Sequence, residues 1–225
     1  MSSALAPILT RDLAPETCLG PTEFIDSNHE RICEQATILA SGTGSHPEKA
    51  AAIFQFVREN IPYEFMLRVH TSAFIASNIL EERRGFCVRK AVLLTALARS
   101  AGIPSALVFC DMRDHTLPQR LTDAMGTDIM YHHGLNAFFL DGHWRLADAT
   151  LSTKLLERLG SHARQFEGAS DALLPAHTTS GQPHTEILHF HGMYADLPFQ
   201  DMLTGFAQGY ANADIEALAN MGYRL

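Results

Sequence analysis

Cys87, His133 and Asp148 are the residues whose types and settings could add up to a reaction. Cys87 follows Gly85-Phe86 and falls in the first turn of a predicted helix. Free backbone N–H groups and the positive end of the helix dipole favour an anion there, and the thiolate is the nucleophilic form of cysteine. Arg83, Arg84 and Arg89 lie nearby in sequence. Cys87 also shares a helical stripe with Ala91, Leu94 and Ala98, so it should point inward. Taken alone, that position also suits an inert core thiol.

The other two come from a predicted β-hairpin over residues 131–148, with Asp141-Gly142 as a two-residue type I′ turn. That turn sets Leu135 opposite Asp148, Ala137 opposite Leu146 and Phe139 opposite Trp144. Directly opposed residues share a face. One face then carries His133, Leu135, Ala137, Phe139, Trp144, Leu146 and Asp148, and its apolar character turns it toward the core. His133 and Asp148 are its polar members and diagonal neighbours. A buried carboxylate needs a partner, and the imidazole supplies one. The opposite face, with His132, Gly134, Asn136 and Phe138, reads as the wetter one, which sets His132 aside. Nucleophile, base and orienting carboxylate are the minimum set for thiol-based acyl transfer. A satisfied core pair beside an inert thiol is the bland alternative.

The predicted elements that must position these groups begin after an N-terminal arm of 26 residues. Ser27 and Glu30 match a capping box opening one helix, and Ser45 and Glu48 match another, whose helix should stop at Asn60-Ile61-Pro62. A short helix spans 73–83, closed by Gly85, and a stronger one runs from about 86 to 101 before Gly102-Ile103-Pro104. A buried strand follows over 105–110. Residues 111–130 read as a long polar loop of the kind that forms lids or binding loops. Beyond the hairpin, a strand is expected at 186–191 and helices at 199–209 and 213–221. Helices first and strands afterwards predict an α+β domain, a helical layer packed on an antiparallel sheet.

Composition narrows the alternatives. The 225 residues suit one domain, and 46% apolar content favours an ordered core. A formal charge of −8 without a basic stripe argues against nucleic acid as a partner. No apolar run is long enough to span a bilayer, and the first residues make a poor signal peptide, so no membrane partner and a cytoplasmic location are expected. Cys18, Cys33, Cys87 and Cys110 contain no C-x-x-C pair and suit neither a disulfide framework nor a zinc ribbon. His189-x-His191 could place two imidazoles on one strand face, with His115, His184 or Cys110 as further ligands. No third ligand has recognisable spacing, so neither metal nor cofactor is expected. Asp111 and Asp114 read as surface acids, and Phe54, Phe56, Phe65 and Phe74 as core or pocket wall.

Two stretches carry a family resemblance. RRGFCVRKAVLLTALARSAGIPSALV resembles the nucleophile motif of the transglutaminase-like superfamily, and HGLNAFFLDGHWRLADAT resembles its histidine strand, Trp-bearing strand and Asp-x-Thr ending. The resemblance covers about residues 47–151. It implies a papain-like fold, with Cys87 as nucleophile, His133 as base and Asp148 as orienting group. It divides the chain into an N-terminal arm and helix (1–46), a catalytic core (47–151) and a C-terminal extension completing the same domain (152–225). The implied activity is amide or peptide hydrolysis, or transglutaminase-type acyl transfer, on a peptide or small-molecule acyl donor. Amide formation on the same triad, or a non-catalytic or metal-binding module on this fold, are the alternatives. The aromatic that usually follows the family histidine is replaced by Gly134-Leu135. Trp144 is the only tryptophan, so no tryptophan upstream of the cysteine can donate to an oxyanion. The Cys87 backbone N–H and an unidentified donor, with Tyr63 as one candidate, must serve instead.

Overall fold

A computed structural model of the chain describes residues 13–65 and 70–221. The first 12 residues of the expected arm lie outside that range. The rest of the arm carries a single 3-10 turn at Pro15–Cys18 and delivers Phe24 and Ile25 into the core, where Phe24 stacks on Phe199 at 5.3 Å. Helix α1 (Glu30–Ala40) and helix α2 (His46–Asn60) follow. The capping box expected at Ser45 and Glu48 is present in both directions. The one expected at Ser27 is not: α1 begins at Glu30 and is capped by His29, whose Nδ1 accepts from the Arg31 N–H. The predicted 73–83 helix resolves into a 3-10 turn at Thr71–Phe74 and α3 (Ala76–Glu82). Arg83, in left-handed conformation, closes it rather than Gly85.

Helix α4 (Cys87–Ser100) is the centre of the molecule. Each residue from Cys87 to Arg99 is buried, so the helix is covered on all sides and not only along its apolar stripe. It lies on one face of a four-stranded antiparallel sheet formed by β1 (Ser105–Asp114), β2 (Ile129–Leu140), β3 (His143–Ala147) and β4 (Thr185–Tyr194), in the order β3-β2-β1-β4. Helix α5 (Gln119–Met125) precedes β2, α6 (Thr153–Arg158) follows β3, and α7 (Phe199–Gly209) and α8 (Ile215–Met221) close the chain. The expected α+β arrangement, helices layered on an antiparallel sheet, is what forms. The polar loop expected over 111–130 does not. β1 continues through it to Asp114, and Leu121, Ala124 and Met125 give α5 an apolar face that docks with Met130 and Leu218.

The hairpin takes the predicted register: Ala137 pairs with Leu146 and Phe139 with Trp144. Asp141 and Gly142 both have positive φ, at 50° and 79°, as a type I′ turn requires. The expectation of one wet face is wrong. Asn136, Phe138 and Ala147 are buried on the α4 side, and the Asn136 amide donates to Ala91 O and Thr95 Oγ1, both at 2.8 Å. The pattern looked wet because a glycine and an asparagine fill positions where helix and strand meet closely.

Gly134 marks the closest of those meetings. A Cβ there would sit 2.9 Å from Val88 Cα and 3.3 Å from its backbone nitrogen. The absent side chain lets the strand run against the first turn of α4, bringing His133 beside Cys87. Gly134→Ala should therefore cost about 1–3 kcal/mol, because the obstacle is backbone and cannot rotate away. Urea unfolding checks this; an unchanged midpoint would mean that the approach is not tight.

Candidate active site

Each element brings one group to a common point. Cys87 is the first residue of α4 and is buried, with 4% of the residue exposed. His133 lies on β2 and Asp148 one residue beyond β3; both are buried. The His133 Nε2–H donates to Asp148 Oδ2 at 2.7 Å. Oδ1 accepts the backbone N–H of Thr150 at 2.9 Å, so both carboxylate oxygens are engaged and the Asp-x-Thr turn holds its own aspartate in place. The Asp148 N–H donates to Ala172 O, which fixes the chain where β3 ends.

The remaining imidazole nitrogen, His133 Nδ1, has no hydrogen-bond partner in full geometry among the described residues. The Cys87 thiol nevertheless bears on this ring. Burial alone would lower the proton affinity of His133, but the Asp148 carboxylate and then Cys87 outweigh it and raise the imidazole well above its ordinary value. Burial would likewise raise Asp148; His133 and Thr150 hold its carboxyl below the usual range. Both shifts favour an imidazolium–carboxylate pair once the ring takes a proton.

The three arginines near Cys87 in sequence are occupied elsewhere. Arg89 is buried and donates to Ala73 O and Glu82, Arg84 lies 3.6 Å from Glu64, and Arg83 sits over the Phe56 ring. The cation that acts on Cys87 and Asp148 is Lys90, one turn along α4. Its Nζ donates to Thr150 O at 2.8 Å and Arg58 O at 3.3 Å, tying α4 to the turn that holds Asp148. Its role was not legible in sequence, where nothing sets it apart from the arginines beside it. Burial pushes its ammonium down to about 7, against the opposing pull of Asp148 and Glu59. Between about pH 7 and 10 the unfolded chain holds a proton at this site that the native protein lacks, so stability should rise with pH across that window. Lys90→Met should reduce the slope of unfolding free energy against pH by up to about 1.4 kcal/mol per unit there. Denaturant titrations from pH 7 to 10 would measure it, and identical slopes would mean that Lys90 keeps its proton.

Tyr63 and Tyr210 also act electrostatically on Cys87. Tyr210 was not foreseen because it lies far along the chain, just after α7. Its hydroxyl accepts the Tyr131 N–H at 2.9 Å, which leaves its own proton free to donate. A cavity of about 550 Å³ opens on the sheet face opposite α4. His133 and Asp148 form part of its wall, with Cys110, Leu135, Ile187 and Phe190. Phe54 and Phe74 are core residues, and Phe56 and Phe65 are partly buried against it, as expected. Asp111 and Asp114 are not surface acids. Asp114 is buried and bonds Thr116, and Asp111 bonds the His132 N–H and His191.

Residues 34–149, slightly more than half of the chain, match the Transglutaminase-like superfamily. No curated protein matches the sequence. Among solved structures, the chain is similar to a candidate cysteine protease from Cytophaga hutchinsonii, at 18% identity and a TM-score of 0.47, covering 84% of this chain and 56% of that one. A candidate protease from Parabacteroides distasonis is 17% identical with a TM-score of 0.37, over 68% of this chain and 26% of that one. An arylamine N-acetyltransferase from Mycobacterium abscessus is 15% identical with a TM-score of 0.40, over 60% and 47%. The chain thus spans 56% or less of the length of each of these structures. No helix among the described residues is long and apolar enough to cross a membrane.

Proposed function

This chain belongs to the transglutaminase-like superfamily, and from that premise we propose that it is a cysteine-dependent acyl-transfer enzyme acting through Cys87, His133 and Asp148. The observation that carries the reading is the 2.7 Å contact between His133 Nε2 and Asp148 Oδ2, made by an imidazole that also feels the Cys87 thiol at the tip of a buried helix.

The thiol proton passes to His133, and the helix terminus and imidazolium stabilise the thiolate. The sulfur attacks the acyl carbonyl, and the bond to the leaving group breaks as that group takes the proton from His133. An acyl thioester remains on Cys87. Water or an amine then attacks the thioester and passes a proton to His133; the C–S bond breaks, giving hydrolysis or transfer, and that proton goes from His133 to the released sulfur. Asp148 keeps the Nε2–H pointed at itself, so the other nitrogen serves the sulfur. The oxyanion meets the Cys87 backbone N–H, unpaired in the first helical turn, with the Tyr210 or Tyr63 hydroxyl as second donor.

The test is a panel of amide, ester and thioester donors with intact-mass detection. One acyl group should remain on Cys87 with at least one donor, and none on Cys87→Ala. The same adduct on the Cys87→Ala protein would remove the nucleophile from the proposal.

A further inference from the structure

The middle of the sheet is distorted at one place, and three ligand-type side chains meet there. β1 loses register with β2 between Cys110 and Met112, and with β4 between Phe109 and Cys110 and again between Asp111 and Met112. Opposite this bulge, His132 of β2 adopts a left-handed backbone with φ of 50°. Bulges re-aim side chains, and a non-glycine residue in that region costs on the order of 1–3 kcal/mol that the surroundings must offset. The outcome is that Asp111, His132 and His191, from three neighbouring strands, bring one ligating atom each within 4.8 Å of one another. The His132 and His191 rings stack with centroids 3.9 Å apart, and His191 Nε2 lies 2.8 Å from Asp111 Oδ1. Asp111 Oδ1 also accepts the His132 backbone N–H at 3.0 Å. His132 Nδ1 is buried and has no hydrogen-bond partner among the described residues, although an orphaned buried nitrogen is costly.

We propose that Asp111, His132 and His191 form a binding site for a divalent transition-metal cation of the zinc type. Two imidazoles and one carboxylate suit zinc and its first-row neighbours, and three protein ligands leave a position open for water or another small ligand. The cation takes one nitrogen from each imidazole and replaces the His191–Asp111 hydrogen bond by two coordination bonds. The proposed site departs from the expectation of no metal, and it differs from the ligand set built on His189-x-His191. His189 meets His191 edge-on at 4.8 Å, His184 bonds Ser161, His115 lies 4.0 Å from Glu186, and Cys110 lines the cavity on the other face of the sheet. Spacing in the sequence could not reveal the set, because each ligand comes from a different strand. The proposal does not rest on the thiol chemistry.

Untagged full-length protein, stripped with a chelator and then dialysed free of it, is titrated with Zn²⁺ by calorimetry and with Co²⁺ by visible absorption. Wild type should take up one ion per chain, and Co²⁺ should develop ligand-field bands. His191→Ala, in the partly exposed edge strand, should weaken Zn²⁺ by more than the roughly 10–100-fold typical of losing an outer-shell partner. His132→Asn, a residue that tolerates positive φ, should do the same with an unchanged circular dichroism spectrum. His189→Ala should bind as wild type. Failure of wild type to bind, or equal binding by wild type, His191→Ala and His132→Asn, overturns the site. Loss in His189→Ala with retention in His132→Asn would overturn it in favour of the His-x-His set.

Discussion

Cys87→Ala is expected to yield a folded protein with activity reduced by at least about 10⁴-fold, the scale on which a covalent nucleophile is lost. The substitution removes one sulfur at the first position of α4, where alanine is a good helix former, so the thermal midpoint should hardly change. Loss of activity with an unaltered circular dichroism spectrum therefore reads out chemistry rather than folding. A thiol alkylator gives an independent view. Cys18 and Cys110 are fully enclosed; burial raises the Cys18 thiol and pushes that of Cys110 up to about 12. Cys33 is only partly buried, and its thiol lies 3.6 Å from Ser27 O, an ordinary carbonyl. Of the four cysteines, Cys87 alone lies at the N-terminus of an α-helix beside the His133 ring, so it should react fastest near neutral pH. Turnover persisting in Cys87→Ala, or Cys33 reacting first, would defeat the assignment.

Much of this site could be read from the chain because its determinants are local. Asp141-Gly142 fixes the turn, the turn fixes the register, and the register pairs the His133 and Asp148 positions without further information. The start of α4 was similarly legible, since Gly85 before it and Gly102-Ile103-Pro104 after it bound one apolar helix. What failed depended on neighbours remote in sequence. The face bearing Gly134 and Asn136 looked wet until α4 was laid across it. Lys90 stands apart from the neighbouring arginines only through the placement of its ammonium between two carbonyls. Tyr210 reaches the site from beyond α7, and Asp111, His132 and His191 converge through bulges that no periodicity announces. His29 displaced the expected Ser27 cap because an imidazole nitrogen can accept from a first-turn N–H as a hydroxyl does.

Asp148 provides the sharpest test of how the triad is tuned, because its two natural replacements separate geometry from charge. Asparagine keeps an oxygen that can accept the His133 Nε2–H but carries no charge. The exchange of a charge-assisted hydrogen bond for a neutral one costs about 1–2 kcal/mol, so Asp148→Asn should lose about 5–30-fold in kcat/KM. Alanine leaves a buried imidazolium without a partner, worth about 3–5 kcal/mol, so Asp148→Ala should lose about 10²–10⁴-fold. The pH behaviour distinguishes tuning from collapse. Because the Asp148 carboxylate holds the His133 proton affinity well above its ordinary value, removing it lets the imidazole discharge at lower pH, and burial then acts unopposed by that carboxylate. The thiolate loses its countercharge where wild type still has it, so alkylation of Cys87 at pH 6 should fall much more than alkylation at pH 9. A uniform loss across pH would point to damaged packing instead. Equal effects of asparagine and alanine would mean that Asp148 acts through charge alone, and wild-type rates in both would remove it from the mechanism.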